Sequence, residues 1–308
     1  MFLNISIKIL YGELTGGNMF EELQRIQYYR FNIYMTTTDN ALMSEWLGSA
    51  VRGAFGTELI KLCCIDGKVK CESCSEIFSS CSAKTLFHTG SPSESSQAVN
   101  PYIIYCEKYC YRDNVLTFEL TLFGNGVYTV KDVFKVLAKG LKIGRNRTFF
   151  KLTQIIDAET GEAVYDGVFW KEPQIHSFSL TEKSADNIRI DFMSPFVAKQ
   201  NNIQFEYIIR AILRRASTIM TQCGNEFNWD FNQLIQNAKR VKLVSENVEK
   251  LTLTRYSNRA EKKMNISGIV GQAVYSGDIK EFIPLIMFAE KFHVGKLCVM
   301  GLGKIKVN

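Results

Sequence analysis

The stretch His293-Val-Gly-Lys-Leu-Cys-Val-Met-Gly-Leu-Gly-Lys-Ile-Lys-Val307 is where the fold of this chain is most legible. Three glycines (Gly295, Gly301, Gly303) and three lysines (Lys296, Lys304, Lys306) follow an amphipathic helical pattern over Asp278–Phe292 and run into a short alternating strand over Gly303–Val307. Glycine allows close backbone approach and leaves N–H groups able to face an anion, and lysine adds charge beside them. A basic, glycine-rich loop between helix and strand is therefore a seat for a phosphate. The same glycines also serve tight turns, and both readings stand at this point.

Working outward, the order of elements is the same twice. Tyr28–Thr37 alternates as a strand, and Met43–Leu62 carries Trp46, Leu47, Ala50, Val51 and Phe55 at helical spacing. Strands are predicted at Tyr102–Tyr105 and Val115–Phe123, a helix at Val130–Leu141 and a strand at Thr148–Ile156. The second half predicts strand Ile188–Met193, helix Gln204–Met220, strands Val248–Tyr256 and Ile266–Tyr275, helix Asp278–Phe292 and the closing strand. This order, β-α-β-β-α-β repeated, is that of tandem ferredoxin-like domains of the α+β class. One detail supports duplication: Lys142-Ile-Gly-Arg-Asn-Arg-Thr-Phe-Phe-Lys-Leu152, like the closing stretch, places glycine and basic residues between second helix and last strand. The expected domains are 26–170, with a cysteine-rich insert near 63–100, and 185–308, joined through Lys171–Ser184 and preceded by an extension at 1–25. Met19 opens a more typical polar start, so residues 1–18 read as an extension or a misplaced start.

Composition bounds the function. At 308 residues the chain accommodates two cores, and no apolar run reaches the roughly 20 residues of a membrane span. The apolar first ten residues lack the basic start and cleavage site of a signal peptide. A net charge of +6 leans toward a polyanion. Nine cysteines without a secretory signal point to a reducing compartment, the cytoplasm, and to metal or thiol roles rather than a disulfide framework.

Cys64, Cys71, Cys74 and Cys81 have the spacing of four thiolates around a tetrahedral structural Zn(II), with Cys63 a possible substitute for Cys64. The segment between them has too little apolar content for a core, so a metal would staple it; reduced loop cysteines are the alternative. Four thiolates leave no open position, hence no catalytic metal. His293 is either a proton-transfer group beside the glycine-rich loop or a helix-end residue on the dipole. His88 lies in a loop after the last of these cysteines, and His176 reads as surface. Basic residues interleave with aromatics at Arg145–Lys151 and Arg255–Lys263, a mixture that suits RNA phosphates and bases and also suits a solvated hairpin tip. Arg210, Arg214 and Arg215 read as a surface stripe.

Together, Trp46-Leu-Gly-Ser-Ala-Val-Arg-Gly-Ala-Phe-Gly56, the cysteine insert, Ser257-Asn-Arg259, Ile266-Ser-Gly-Ile-Val-Gly271 and the closing glycine-rich stretch resemble the RAMP-superfamily CRISPR endoribonucleases that process precursor crRNA (the Cas-six family), in a subgroup with a cysteine insert. The resemblance runs from about Arg30 to the terminus. It implies RNA held by Arg52, Arg145, Arg147, Arg255, Arg259, Gly295, Gly301, Gly303 and Lys304. It further implies metal-independent cleavage inside each CRISPR repeat by ribose 2′-OH attack, leaving a cyclic phosphate and a 5′-OH. His293 would be the acid or base, Lys296 the charge stabiliser and CRISPR repeat RNA the partner. Many members carry a histidine in or just after the first helix; Ala41–Leu62 has none, and His88 is the nearest substitute. A non-catalytic crRNA-binding subunit of a CRISPR effector complex shares these features. A zinc-stabilised DNA-binding regulator fits them less, for want of a helix-turn-helix.

Overall fold

Alternation along β1 (Gln27–Thr36) places Phe31, Ile33 and Met35 on one face, and the computed structural model buries all three completely. The structure describes residues 19–39, 41–64, 81–87, 99–179, 187–198, 202–257 and 262–308. It divides into two compact units, Gln27–His176 and a second that joins Met1–Ile26 to Ser177–Asn308.

In the first unit, α2 (Gly48–Cys63) buries Val51, Phe55 and Leu59, one turn apart. The next elements are α3 (Ser82–Phe87), β2 (Tyr102–Tyr105), β3 (Tyr111–Arg112), β4 (Val115–Phe123) and α4 (Val130–Lys139). β5 (Leu141–Ile143), β6 (Thr148–Asp157), β7 (Ala163–Tyr165) and β8 (His176–Ser177) follow. The sheet runs β2-β4-β1-β6-β5, and β1 pairs antiparallel with both β4 and β6. Phe31 and Ile33 face Leu120 and Phe118 across the ladder. Each such buried side chain contributes roughly 1.5–3 kcal/mol.

The second unit repeats the plan. β9 (Asn187–Phe196) buries Ile188, Ile190, Phe192, Ser194 and Phe196 on one face. α5 (Phe205–Gln222) follows, then α6 (Phe231–Ala238), whose Asp230 cap accepts from the Gln233 N–H at 2.9 Å. β10 (Lys242–Ser257) and β11 (Lys262–Ser276) form a long hairpin; α7 (Ile283–Phe292) and β12 (Ile305–Val307) close the unit. The strand order β10-β11-β9-β12 matches β2-β4-β1-β6 of the first unit, so both have the ferredoxin-like arrangement.

Several expectations change. The helix predicted from Met43 begins only at Gly48, and the one predicted from Asp278 begins at Ile283 after a 3-10 turn. The helix predicted to run through Leu141 stops at Lys139, because Gly140 at φ +82° turns the chain into β5. Residues 1–25, expected as an extension, contribute α1 (Met19–Leu23) to the C-terminal unit. The reason is tertiary. Met19, Phe20 and Leu23 are buried, the Phe20 ring meets Phe178 edge-on at 6.5 Å, and the Glu22 carboxylate accepts from Asn228 N–H at 3.1 Å and from the Trp229 indole N–H.

Candidate nucleic-acid interface

The glycine-rich loop leaves α7 at His293, whose φ of +60° stops the helix. It then folds onto its own unit. Val294 N–H donates to Gly303 O at 2.9 Å, Lys296 N–H to Val197 O at 2.9 Å, Gly301 N–H to Cys298 O at 2.8 Å and Gly303 N–H to Pro195 O at 3.0 Å. Ser194 Oγ donates to Gly301 O at 2.7 Å and accepts from Lys304 N–H at 2.9 Å. A Cβ at Gly303 would lie 1.8 Å from Val294 O, and one at Gly295 2.7 Å from Val197 O. These glycines are therefore there for backbone-on-backbone packing. At Gly301 and Gly303 the expectation of N–H groups free for an anion is corrected: these N–H groups, like those of Lys296 and Lys304, are already bonded within the unit. The loop instead presents side chains. Lys296 is exposed and forms no ion pair among the described residues, and Leu297 beside it is held at φ +62°. Lys304 is half-buried and Lys306 exposed.

His293 is fully buried, its Nδ1 3.0 Å from Leu302 O. The ring lies inside the unit rather than at the surface where a phosphate would sit, so the geometry speaks against the expected acid or base role and makes the ring a tie from the start of the loop to its end. Arg215 is a second correction. Arg210 and Arg214 are exposed on α5, but Arg215 is buried, and its Nε donates to Phe292 O at 2.7 Å. The guanidinium meets the negative end of α7, and burial lowers its pKa. Ser194 was missed; its signal is a lone hydroxyl at an apolar position of the β9 alternation.

The remaining residues are scattered. Arg145 and Arg147 are exposed on the β5–β6 turn, Arg147 at φ +51°. Arg52, expected to hold RNA, is half-buried with its guanidinium 5.1 Å from the Phe87 ring centre, so aromatic packing engages it. It also lies beside Tyr102, whose phenol burial pushes up to about 12 despite the cation. His176 is not plain surface: its Nε2 lies 2.8 Å from Asp157 Oδ2. Arg255 lies on β10 with its side chain outside the described residues, where Arg259, His88, Cys71 and Cys74 also fall. Cys64 and Cys81 are half-exposed, but the thiol that bonds the Cys81 side chain is that of Cys63, pushed up to about 11 mainly by burial. Among the described residues no group of three or more His, Cys, Asp or Glu could hold a metal. No described helix is long and apolar enough to cross a membrane.

Residues 24–177 match the family model AF_1859_N, an N-terminal domain, and residues 190–305 match CRISPR-associated endoribonuclease Cas6. Residues 190–305 belong with the Cas6 endoribonuclease family and residues 24–177 with the AF_1859_N domain family. The chain is 26% identical over 221 residues to an uncharacterized protein of Archaeoglobus fulgidus, covering 64% of this chain and 75% of that one. A solved Cas6 product complex matches with a TM-score of 0.60 at 12% identity, over 92% of this chain and 99% of its own. Thermus thermophilus Cas6 matches with 0.56 at 12% identity over the same shares. At that identity the two structures speak for the fold.

Proposed function

We propose that this protein is a CRISPR RNA-processing endoribonuclease that binds precursor crRNA in the cytoplasm and cuts it within its repeats. One observation carries the reading: the segment matched by the Cas6 family model contains the whole glycine-rich loop, and that loop holds exposed Lys296 on a base of backbone bonds. Cleavage proceeds without a metal. The ribose 2′ oxygen bonds to the adjacent phosphorus as the P–O5′ bond breaks; a base takes the 2′ proton and an acid gives one to the 5′ oxygen. The products are a cyclic phosphate and a 5′-OH. Lys296 supplies positive charge to the phosphorane, and the exposed Arg145–Arg147 turn supplies phosphate contacts. His88 takes the proton-transfer role and His293 positions the loop.

Incubation with the genome's own repeat RNA in EDTA tests this: cuts inside each repeat, ending in cyclic phosphate, are expected. Binding without cutting supports the second reading, a non-catalytic crRNA-binding subunit, which the burial of His293 favours. Neither binding nor cutting removes both.

A structural zinc ion is part of the proposal, held by Cys63, Cys71, Cys74 and Cys81. The contact between the Cys63 and Cys81 side chains supports Cys63 in place of Cys64. The metal would hold thiolates against the upward push of burial and staple the insert. Elemental analysis is expected to give about one zinc per chain. Cys63→Ser and Cys81→Ser should lose it and Cys64→Ser keep it; zinc loss in Cys64→Ser alone would reverse the assignment.

A further inference from the structure

The hairpin β5–β6 carries chemistry that the loop does not. From Lys139 to Lys151 the chain has five cations, Lys139, Lys142, Arg145, Arg147 and Lys151, and no acidic residue. All five are exposed, and none forms an ion pair among the described residues. Leu141 and Ile143 point into the core and are buried, so Lys142 between them faces outward. Its cross-strand partner is Phe149, which shares that face, and Lys151 lies two residues further along it. Thr36 of β1 pairs with Lys151, so the face continues onto the open side of the sheet.

Phe149 is the unusual member. A phenylalanine on a solvated strand face is ordinarily replaced by a polar residue, yet this ring is 45% exposed. It is also fixed. Gly140 lets the ring lie against the backbone: a Cβ there would sit 2.5 Å from two of its atoms. The ring is thus a flat, preset surface with lysines on either side, bearing no opposing charge. An aromatic plane for a base, with unpaired cations at its edges for the flanking phosphates, is the combination that holds single-stranded nucleic acid. A duplex would hide its base faces, and an acidic peptide would use the charge but leave the ring idle.

We propose that Phe149, with Lys142 and Lys151, forms a stacking platform for an unpaired nucleotide of RNA, separate from the glycine-rich loop of the other unit. RNA as the ligand rests on the processing reading above; the platform itself rests on the hairpin.

The test uses the full chain and a ten-nucleotide oligouridylate labelled at its 5′ end. Phe149→Ala should weaken binding by about 5- to 100-fold with little change in salt dependence, and Phe149→Tyr should restore it to within about threefold. Lys142→Ala and Lys151→Ala should each flatten the log affinity–log salt slope by about 0.7. A Phe149→Ala protein that binds within twofold of wild type overturns the platform, as does an equal loss for duplex RNA of the same length or a Phe149-dependent binding of polyglutamate in place of RNA. Repeat-RNA cleavage in EDTA, run in parallel, separates the two claims. Phe149-dependent oligouridylate binding without cleavage leaves the platform and removes the processing reading; cleavage with binding indifferent to Phe149 does the reverse.

Discussion

Two junctions occupy the same place in their units, between the second helix and the last strand, and they are built in opposite ways. After α7 the chain turns inward: Val294, His293 and Gly303 are buried, and N–H groups along the loop bond backbone or Ser194 within the unit. After α4 the chain turns outward, adds the short strand β5 and places five cations and a phenylalanine in solvent. Both stretches are glycine-containing and basic, so composition alone makes them look equivalent. What separates them is where the backbone donors go. Where they are bonded internally, only side chains at the tip remain for a ligand; where a regular hairpin satisfies them, the whole outer face is available.

Gly303→Ala is the strongest way to break this contrast. The left-handed conformation and the contact with Val294 O together should cost roughly 2–5 kcal/mol, seen as a fall in the urea midpoint. A midpoint within error of wild type would mean the loop is not packed as described. His293→Ala comes next, at about 1–3 kcal/mol for the bond to Leu302 O, with cleavage per folded molecule kept within a few-fold. A hundredfold loss of single-turnover rate in stable protein would return the ring to the chemistry. Arg215→Ala should lose about 1–3 kcal/mol by removing the Nε donor to Phe292 O and the packed stem, whereas Arg215→Met, which removes the same buried charge but fills the space, should lose less. Equal losses would show that the packing of the stem does not matter there. The outward junction should respond with the opposite sign. Arg147→Gly relieves a left-handed arginine and should stabilise by up to about 1 kcal/mol while weakening RNA binding. Destabilisation would make the arginine a structural part of the turn.

The order of the main elements was readable because it rests on local periodicity. The alternation of Tyr28–Thr37 and Ile188–Met193 and the helical spacing of Met43–Leu62 are properties of a few turns of chain. β5 was not readable, since three residues are too few to show a period and its first residue continued a good helical pattern. The site was less legible for a different reason. His293 and Arg215 look like surface residues in sequence, and what buries them is a carbonyl elsewhere, Leu302 O for one and Phe292 O for the other. Such partners are set by tertiary packing and leave no local signature. Phe149 was visible as an aromatic among basic residues, but its register against Lys142 and its rest on Gly140 were not.

The docking of α1 through Glu22 has a consequence for synthesis on the ribosome. The partner backbone at Asn228 lies 206 residues downstream, so at roughly 5–20 residues per second α1 waits about 10–40 s before its partner is made. During that interval the whole of Gln27–His176 emerges and can fold first. Met19, Phe20 and Leu23 spend the delay without their final burial, so their apolar surface stays open to water or to a chaperone until that partner is made.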